Sequence, residues 1–158
     1  MAETFSAGVL LFRRGAAGPE VLLAHMGGPF WARKDLGAWS LPKGEYLPDQ
    51  EDAQAAARRE FTEELGVAAP DGEWVELGTV SYGSGAKRKT VVAWAVEADL
   101  EPDSIVPGTF EMEWPPRSGK RAEFPEIDRV EWFDLETAAE KLTKGQQPFP
   151  GRLAELLG

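Results

Sequence analysis

The stretch Gly44-Glu45-Tyr46-Leu47-Pro48-Asp49-Gln50-Glu51, continued by a run that closes Arg58-Arg59-Glu60-Phe61-Thr62-Glu63-Glu64-Leu65-Gly66-Val67, decides how this chain is read. Residues 51 to 65 are rich in Ala, Glu and Arg and are followed by Gly66, a pattern that predicts a helix with a glycine stop. Asp49 is the expected N-cap, with Asp52 three residues later. At 100° per residue, with Glu60 at zero, Glu63 falls at about −60° and Glu64 at about +40°. Three carboxylates then share one arc of about 100°. Ala57, Phe61 and Leu65 fall between about +60° and +140° and form an adjacent apolar face for a sheet. Ala53, Ala55, Ala56 and Ala57 are small and let the helix sit close to that sheet.

Carboxylates spaced i, i+3 and i+4 repel, at about 0.2–0.5 kcal/mol per exposed pair. Partial burial raises that cost and favours a retained proton on one of them. A hard divalent cation resolves the conflict, because Mg²⁺ takes oxygen ligands, keeps waters and bridges substrate phosphates. No Cys occurs in the chain and no His lies near these acids, which disfavours a zinc-type site. The plainer reading of Glu60, Glu63 and Glu64 is a solvated helix face. Their company argues against it: a Gly-bearing turn, Glu51, Arg59 and the Gly66 stop all fall within residues 44–67.

This window resembles the Nudix box, G-x5-E-x7-R-E-U-x-E-E-x-G-U, where U is a bulky apolar residue. Glu51 to Val67 matches it throughout, and the departure is at the front, where six residues rather than five separate Gly44 from Glu51. A one-residue loop insertion accounts for the difference. Phe5-Ser6-Ala7-Gly8-Val9, Trp39-Ser40-Leu41-Pro42-Lys43-Gly44 and Glu131-Trp132-Phe133 sit where Nudix proteins carry corresponding strands. Gly27 to Asp35 and Glu113 to Gly119 look like an uncharacterised bacterial subgroup of predicted nucleotide pyrophosphohydrolases. The resemblance implies one domain over residues 1–158, folded as an α/β/α sandwich around a central mixed β-sheet.

The resemblance also implies roles. Glu60 and Glu64 would be metal ligands, with Glu63 beside them as ligand or base, and the backbone carbonyl of Lys43 a further oxygen donor. Arg59 and Glu51 would orient the site, with Gly44 and Gly66 as structural support. Glu123 or Glu126 would be an additional acid from a late loop, and no motif selects between them. Mg²⁺ is the implied cofactor, with Mn²⁺ as a substitute. The implied reaction is water attack on one phosphorus of a nucleoside diphosphate linked to another group. Its catalytic set is Glu63, Glu60, Glu64 and Arg59.

Other segments bear on substrate. Lys43 and the basic loops Lys87-Arg88-Lys89 and Arg117, Lys120, Arg121 offer cations for phosphates, with Arg88 and Arg117 as candidates; ordinary surface charge is the competing reading for the loops. Phe30, Trp31, Tyr82 and Trp114 lie near predicted loop ends; core packing is favoured for all but Trp31, the candidate for base stacking. His25, the only histidine, reads as structural or peripheral. Neither Gly-rich stretch completes a P-loop.

The remaining pattern is strand-rich. Phe5 to Arg13 and Glu20 to His25 read as strands joined by a turn over 15–19, and Trp39-Ser40-Leu41 as a short strand ended by Pro42. Trp74 to Tyr82, Thr90 to Ala98, Thr109 to Trp114 and Arg129 to Phe133 follow as strands, then helices at Leu135 to Leu142 and Pro150 to Leu157. Two strands precede any helix, which suggests a mixed sheet flanked by helices rather than a regular βαβ series.

The 158 residues, 42% hydrophobic, suffice for one packed core and exclude disorder as the default. Met1-Ala2-Glu3-Thr4 lacks a basic n-region and the apolar run Val9 to Phe12 is too short to span a membrane, so a cytoplasmic protein without membrane partners is expected. With a net charge of −10, nucleic-acid polymer is not an expected partner. An anionic small-molecule phosphoanhydride needs a cation and clustered Lys or Arg to reverse the field locally. A monomer or homodimer is expected. The rival to an enzyme is a non-catalytic Nudix-fold nucleotide-binding or regulatory module, although such modules usually lose the box acids, which are all present here.

Overall fold

A computed structural model describes residues 3–158; the reading of Met1 and Ala2 above lies outside the described residues. The hydrophobic run of the first strand alternates between two faces, and this sets the layers. Leu10 and Phe12 of β1 (Thr4–Gly15) join one buried cluster with Leu23, Trp39, Phe149 and Leu153, while Ala7, Val9 and Leu11 join another with Ala57, Phe61 and Leu65. A strand with apolar residues on both sides is buried between two layers. Helix α1 (Ala53–Leu65) covers one face of the sheet. Helices α2 (Leu135–Lys141) and α3 (Pro148–Leu157) cover the other, giving the α/β/α sandwich.

The central sheet is mixed. Its order is β3 (Trp39–Ser40), β2 (Gly18–Met26), β1, β6 (Lys89–Glu97), β5 (Trp74–Tyr82), with β4 (Lys43–Tyr46) also on β1 and β9 (Ile127–Asp134) also on β2. Among the strand pairs of the described residues, only β1 and β6 run parallel. β1 serves two partners along one edge: Phe5 to Gly8 pair with β4, and Phe12 to Gly15 pair with β2. The outer strand β5 is bulged between Glu76 and Gly78, where Arg152 of α3 donates from Nη1 to the carbonyls of Leu77 (3.1 Å) and Thr79 (2.8 Å). A separate hairpin, β7 (Thr109–Glu113) with β8 (Arg121–Pro125), stands on the loop after β2, where Phe30 meets Trp114 edge-on at 5.4 Å.

Several expectations are corrected. The first hairpin turn is only Ala16-Ala17, since β1 runs to Gly15 and β2 begins at Gly18. The cap of α1 is Asp52, whose Oδ2 accepts from the Ala55 amide at 3.1 Å, not Asp49. Pro48 fixes a turn in which the Gln50 amide donates to the Leu47 carbonyl at 2.9 Å, and Asp49 is used up inside it. β4 and β8 are strands that the sequence pattern did not suggest. Among the described residues, no helix is long and apolar enough to cross a membrane.

Candidate active site

α1 presents its small and apolar side to the sheet as its periodicity predicts: Ala56, Ala57, Phe61 and Leu65 are fully buried. Gly66 ends it in the left-handed region at φ 70°, donating its amide to Thr62 at 2.8 Å. A side chain there would also overlap the Val106 carbonyl, so glycine is required twice over. This seating turns the adjacent, acid-bearing side of α1 towards β4, where Glu60 meets Gly44.

The three box acids do not share one environment. Arg59 draws two of them aside: its Nη1 donates to Glu60 and to Glu63, each at 2.8 Å. The same guanidinium grips Glu51 through Nε at 2.9 Å and Nη2 at 2.7 Å, which holds the Glu51 carboxyl below its usual range. Glu63 is 56% exposed, whereas Glu60 is 16% exposed and lies against Gly44. A Cβ at residue 44 would overlap the Glu60 carboxylate, so the box glycine is the cradle of that acid. Burial raises the Glu60 carboxyl, although Arg59 pulls it down.

Glu64 points away from Arg59 and into a cleft of about 350 Å³. Burial pushes its carboxyl up to about 8, with the Glu126 and Glu60 charges adding to the rise; the Lys43 ammonium and backbone oppose it. The Lys43 ammonium is itself lowered, first by burial and also by Lys89, while Glu64 supports its charge. Lys43, Lys89, Glu64, Glu126 and Trp31 all line this one cleft.

The structure therefore sorts the sequence candidates. It gathers Glu64, Lys43 and Trp31 at the cleft, whereas Glu60, one helical turn before Glu64, sits over Gly44 outside the cleft lining. Glu123 lies on β8, exposed, with its carboxylate accepting from the Thr109 hydroxyl at 3.0 Å; Glu126 is the late-loop acid at the cleft. Arg88 faces Glu3 at 3.7 Å, and its neighbour Lys89 takes the cleft position. Arg117 sits exposed in the β7–β8 connection at φ 62° and does not line the cleft. Tyr82 lines the cleft as well as packing on the core, so its assignment to core packing alone is incomplete. Phe30 and Trp114 meet each other rather than the cleft.

His25 is fully buried: Nδ1 lies 3.0 Å from the Asp128 carboxylate and Nε2 lies 2.7 Å from the Lys34 carbonyl. It anchors the loop that carries Trp31. Sequence reasoning missed Gln146 and Thr143, which reach the cleft wall from the far end of the chain. No periodicity or motif marks them.

Among the described residues no three acids stand together as a ready-made cation cage, and Arg59 lies between Glu60 and Glu63. The donor set still fits a hard cation. Glu60 is cradled by a glycine, Glu64 is buried with its carboxyl raised to about 8, and Glu126 adds like charge to both, with neither a thiolate nor an imidazole in the cleft lining.

The NUDIX domain model matches residues 3–153. The chain belongs to the Nudix family. By that membership this Nudix domain is of the pyrophosphohydrolase kind, and it retains the full set of box acids. Solved Nudix-fold structures agree in architecture. The Ap4A hydrolase of C. elegans in a binary complex is 22% identical, with a TM-score of 0.70 over 98% of this chain and 97% of that one. The MutT protein of Methanosarcina mazei Go1 is 19% identical at TM-score 0.65, covering 98% and 95%. The NUDIX domain of Shewanella oneidensis NrtR, complexed with ADP ribose, is 16% identical at TM-score 0.65, covering 100% and 90%. None of the curated proteins matches the chain in sequence.

Proposed function

We propose that this Nudix domain is a Mg²⁺-dependent hydrolase of a pyrophosphate linkage in a nucleoside diphosphate joined to a second group, such as a nucleoside triphosphate or a dinucleoside polyphosphate. The observation that carries this reading is Glu64, buried beside Lys43 with its carboxyl raised to about 8 and with Glu126 and Glu60 as like-charged neighbours. So costly an arrangement is expected where a cation is to be held. Glu60, Glu64 and Glu126, with the Lys43 carbonyl, are the oxygen donors for Mg²⁺, and Mn²⁺ fits the same set. When bound, such an ion supplies neutralised phosphoryl charge and an acidified water.

The chain's own residues do the rest. Arg59 and Glu51 fix the last turns of α1, so that Glu60 keeps its place over Gly44. Glu63, which Arg59 holds outside the cleft lining, would take the proton of the attacking water on release from that pair. The Lys43 and Lys89 ammonium groups bind phosphate oxygens and reverse the field of a chain whose net charge is −10. Trp31 and Tyr82 offer ring faces for a base.

The test is a panel of nucleoside triphosphates, dinucleoside polyphosphates, nucleotide sugars and diphosphoinositols, incubated with Mg²⁺ or Mn²⁺, with product identification to locate the cleaved bond. Cleavage between two phosphorus atoms supports the reading. Tight nucleotide binding without any cleavage would move the chain to the non-catalytic class. The intact acids argue against that class. A cytoplasmic, monomeric or homodimeric protein goes with this reading.

A further inference from the structure

Gln146 is 1% exposed, one of four buried polar side chains among the described residues, and it lines the cleft. It ends a short 3-10 turn, Lys144–Gln146, between α2 and α3. Its Oε1 accepts from the Leu41 amide at 3.0 Å, and its Nε2 donates to the Ser40 hydroxyl, also at 3.0 Å. The Ser40 hydroxyl in turn donates to the Leu41 carbonyl at 2.7 Å. One carboxamide thus closes on the two residues that precede Pro42 and Lys43.

The surroundings reinforce this link. The Thr143 amide donates to the Trp39 carbonyl at 2.8 Å, so the segment runs beside β3. On its other side Gly145 lies against the Tyr82 ring, leaving no room for a Cβ. Gln146 also eases ionisation of the Tyr82 hydroxyl, against the larger opposing effect of burial. A Leu or Met would fill the same space at lower desolvation cost, whereas an amide is tolerated in a core only when its polar atoms are bonded. The bonds that satisfy this one all run to cleft-forming segments.

We propose that Gln146 is a positioning residue of the cleft, setting the Ser40–Lys43 connection against Tyr82 so that Lys43 and Tyr82 form one wall for the substrate. Its effect on turnover rests on the hydrolase reading above, and its effect on the Ser40–Lys43 connection rests on geometry alone.

The test compares Gln146→Met with Gln146→Glu, which keeps the acceptor for the Leu41 amide. Tyr46→Phe in each leaves Tyr82 as the only tyrosine for absorbance titration. In Gln146→Met the Leu41 amide should exchange at least ~10-fold faster, and Tyr82 should titrate at higher pH. Against the best-cleaved diphosphate, KM should rise at least ~5-fold with kcat within ~3-fold. Gln146→Glu should restore slow Leu41 exchange and most of the KM. A folded Gln146→Met protein with wild-type exchange and wild-type KM overturns the proposal, as does equal impairment of both variants in step with their folded fraction. If Gln146→Met does not fold, Ser40→Ala removes one arm alone; unchanged Leu41 exchange together with unchanged KM in it overturns the proposal too. A wild-type protein that cleaves nothing fails the hydrolase reading, and the exchange and titration measurements then decide the positioning claim by themselves.

Discussion

The Glu60 carboxylate occupies the space that a Cβ at Gly44 would fill. β4 and α1 therefore meet at one atom-sized gap, and the box glycine and the first box acid form a single structural unit. Replacing Gly44 by Ala must push Glu60 off its seat or part the helix from β4. The expected outcome is a loss of about 1–3 kcal/mol in stability, as for overpacked sites, with turnover reduced at least ~100-fold. Denaturant unfolding and steady-state rates check both halves. A Gly44→Ala protein with wild-type turnover contradicts the pairing.

Arg59 holds Glu51 through two nitrogens while a third reaches Glu60 and Glu63. Lysine carries one ammonium and cannot reproduce that fork. Arg59→Lys should lower kcat by about 10- to 100-fold through displaced acids. Stability should fall by less than about 1 kcal/mol, since Arg59 is 40% exposed and its pairs are screened. Thermal melts beside kinetic constants separate the two effects.

Glu64 sets a pH dependence of the metal-free protein. Its carboxyl has an ordinary value near 4.5 and is pushed up to about 8 in the fold. Between those values the folded chain keeps a proton that the unfolded chain has lost. Stability is therefore full at low pH and falls as pH rises through this window. Glu64→Gln should flatten that slope and stabilise the chelator-treated protein at pH 8 by on the order of 2 kcal/mol. Urea midpoints at pH 6 and pH 8 measure it. Mg²⁺ should then stabilise the wild type at pH 8 and leave Glu64→Gln unchanged.

Glu126 and Glu123 are separated by two residues and by the end of a strand. Glu126 stands at the cleft, while Glu123 bonds Thr109 on the exposed hairpin. Glu126→Gln should weaken Mg²⁺ dependence and reduce turnover at least ~10-fold, and Glu123→Gln should stay within ~2-fold of wild type. Titration of activity with Mg²⁺ in the two variants decides between them.

α1 was legible because burial, helix period and acid spacing all act within one element: Ala57, Phe61 and Leu65 point to the core for the same reason that Glu60 and Glu64 do not. β1, β2, β5 and β6 were legible from runs of β-branched and apolar residues. β4 was not, since Lys-Gly-Glu-Tyr carries no alternation and becomes a strand through pairing with Phe5 to Gly8. β8 was hidden because the exposed half of its short alternation is Arg121, Glu123 and Pro125, with only Ala122 and Phe124 as its inner residues. Side chains answer to partners as well as to period: Glu60 and Glu63 meet Arg59, while Glu64 lines the cleft. Arg59, four residues before Glu63, turns that acid aside. Glu126, Lys89 and Gln146 could not be chosen from sequence, because contacts far apart in the chain decide which acid, cation or amide faces the cleft. The Gly27 amide on the Glu126 carbonyl and the Leu41 amide on Gln146 are two such contacts.

The assignment of the α1 acids is tested most directly by the initial rate of phosphoanhydride cleavage in Mg²⁺, measured on folded wild type beside folded Glu64→Gln. We expect wild-type cleavage that a chelator abolishes, and a rate at least ~100-fold lower in the variant. Equal rates in the two proteins, or no cleavage of any diphosphate by the folded wild type, would contradict it.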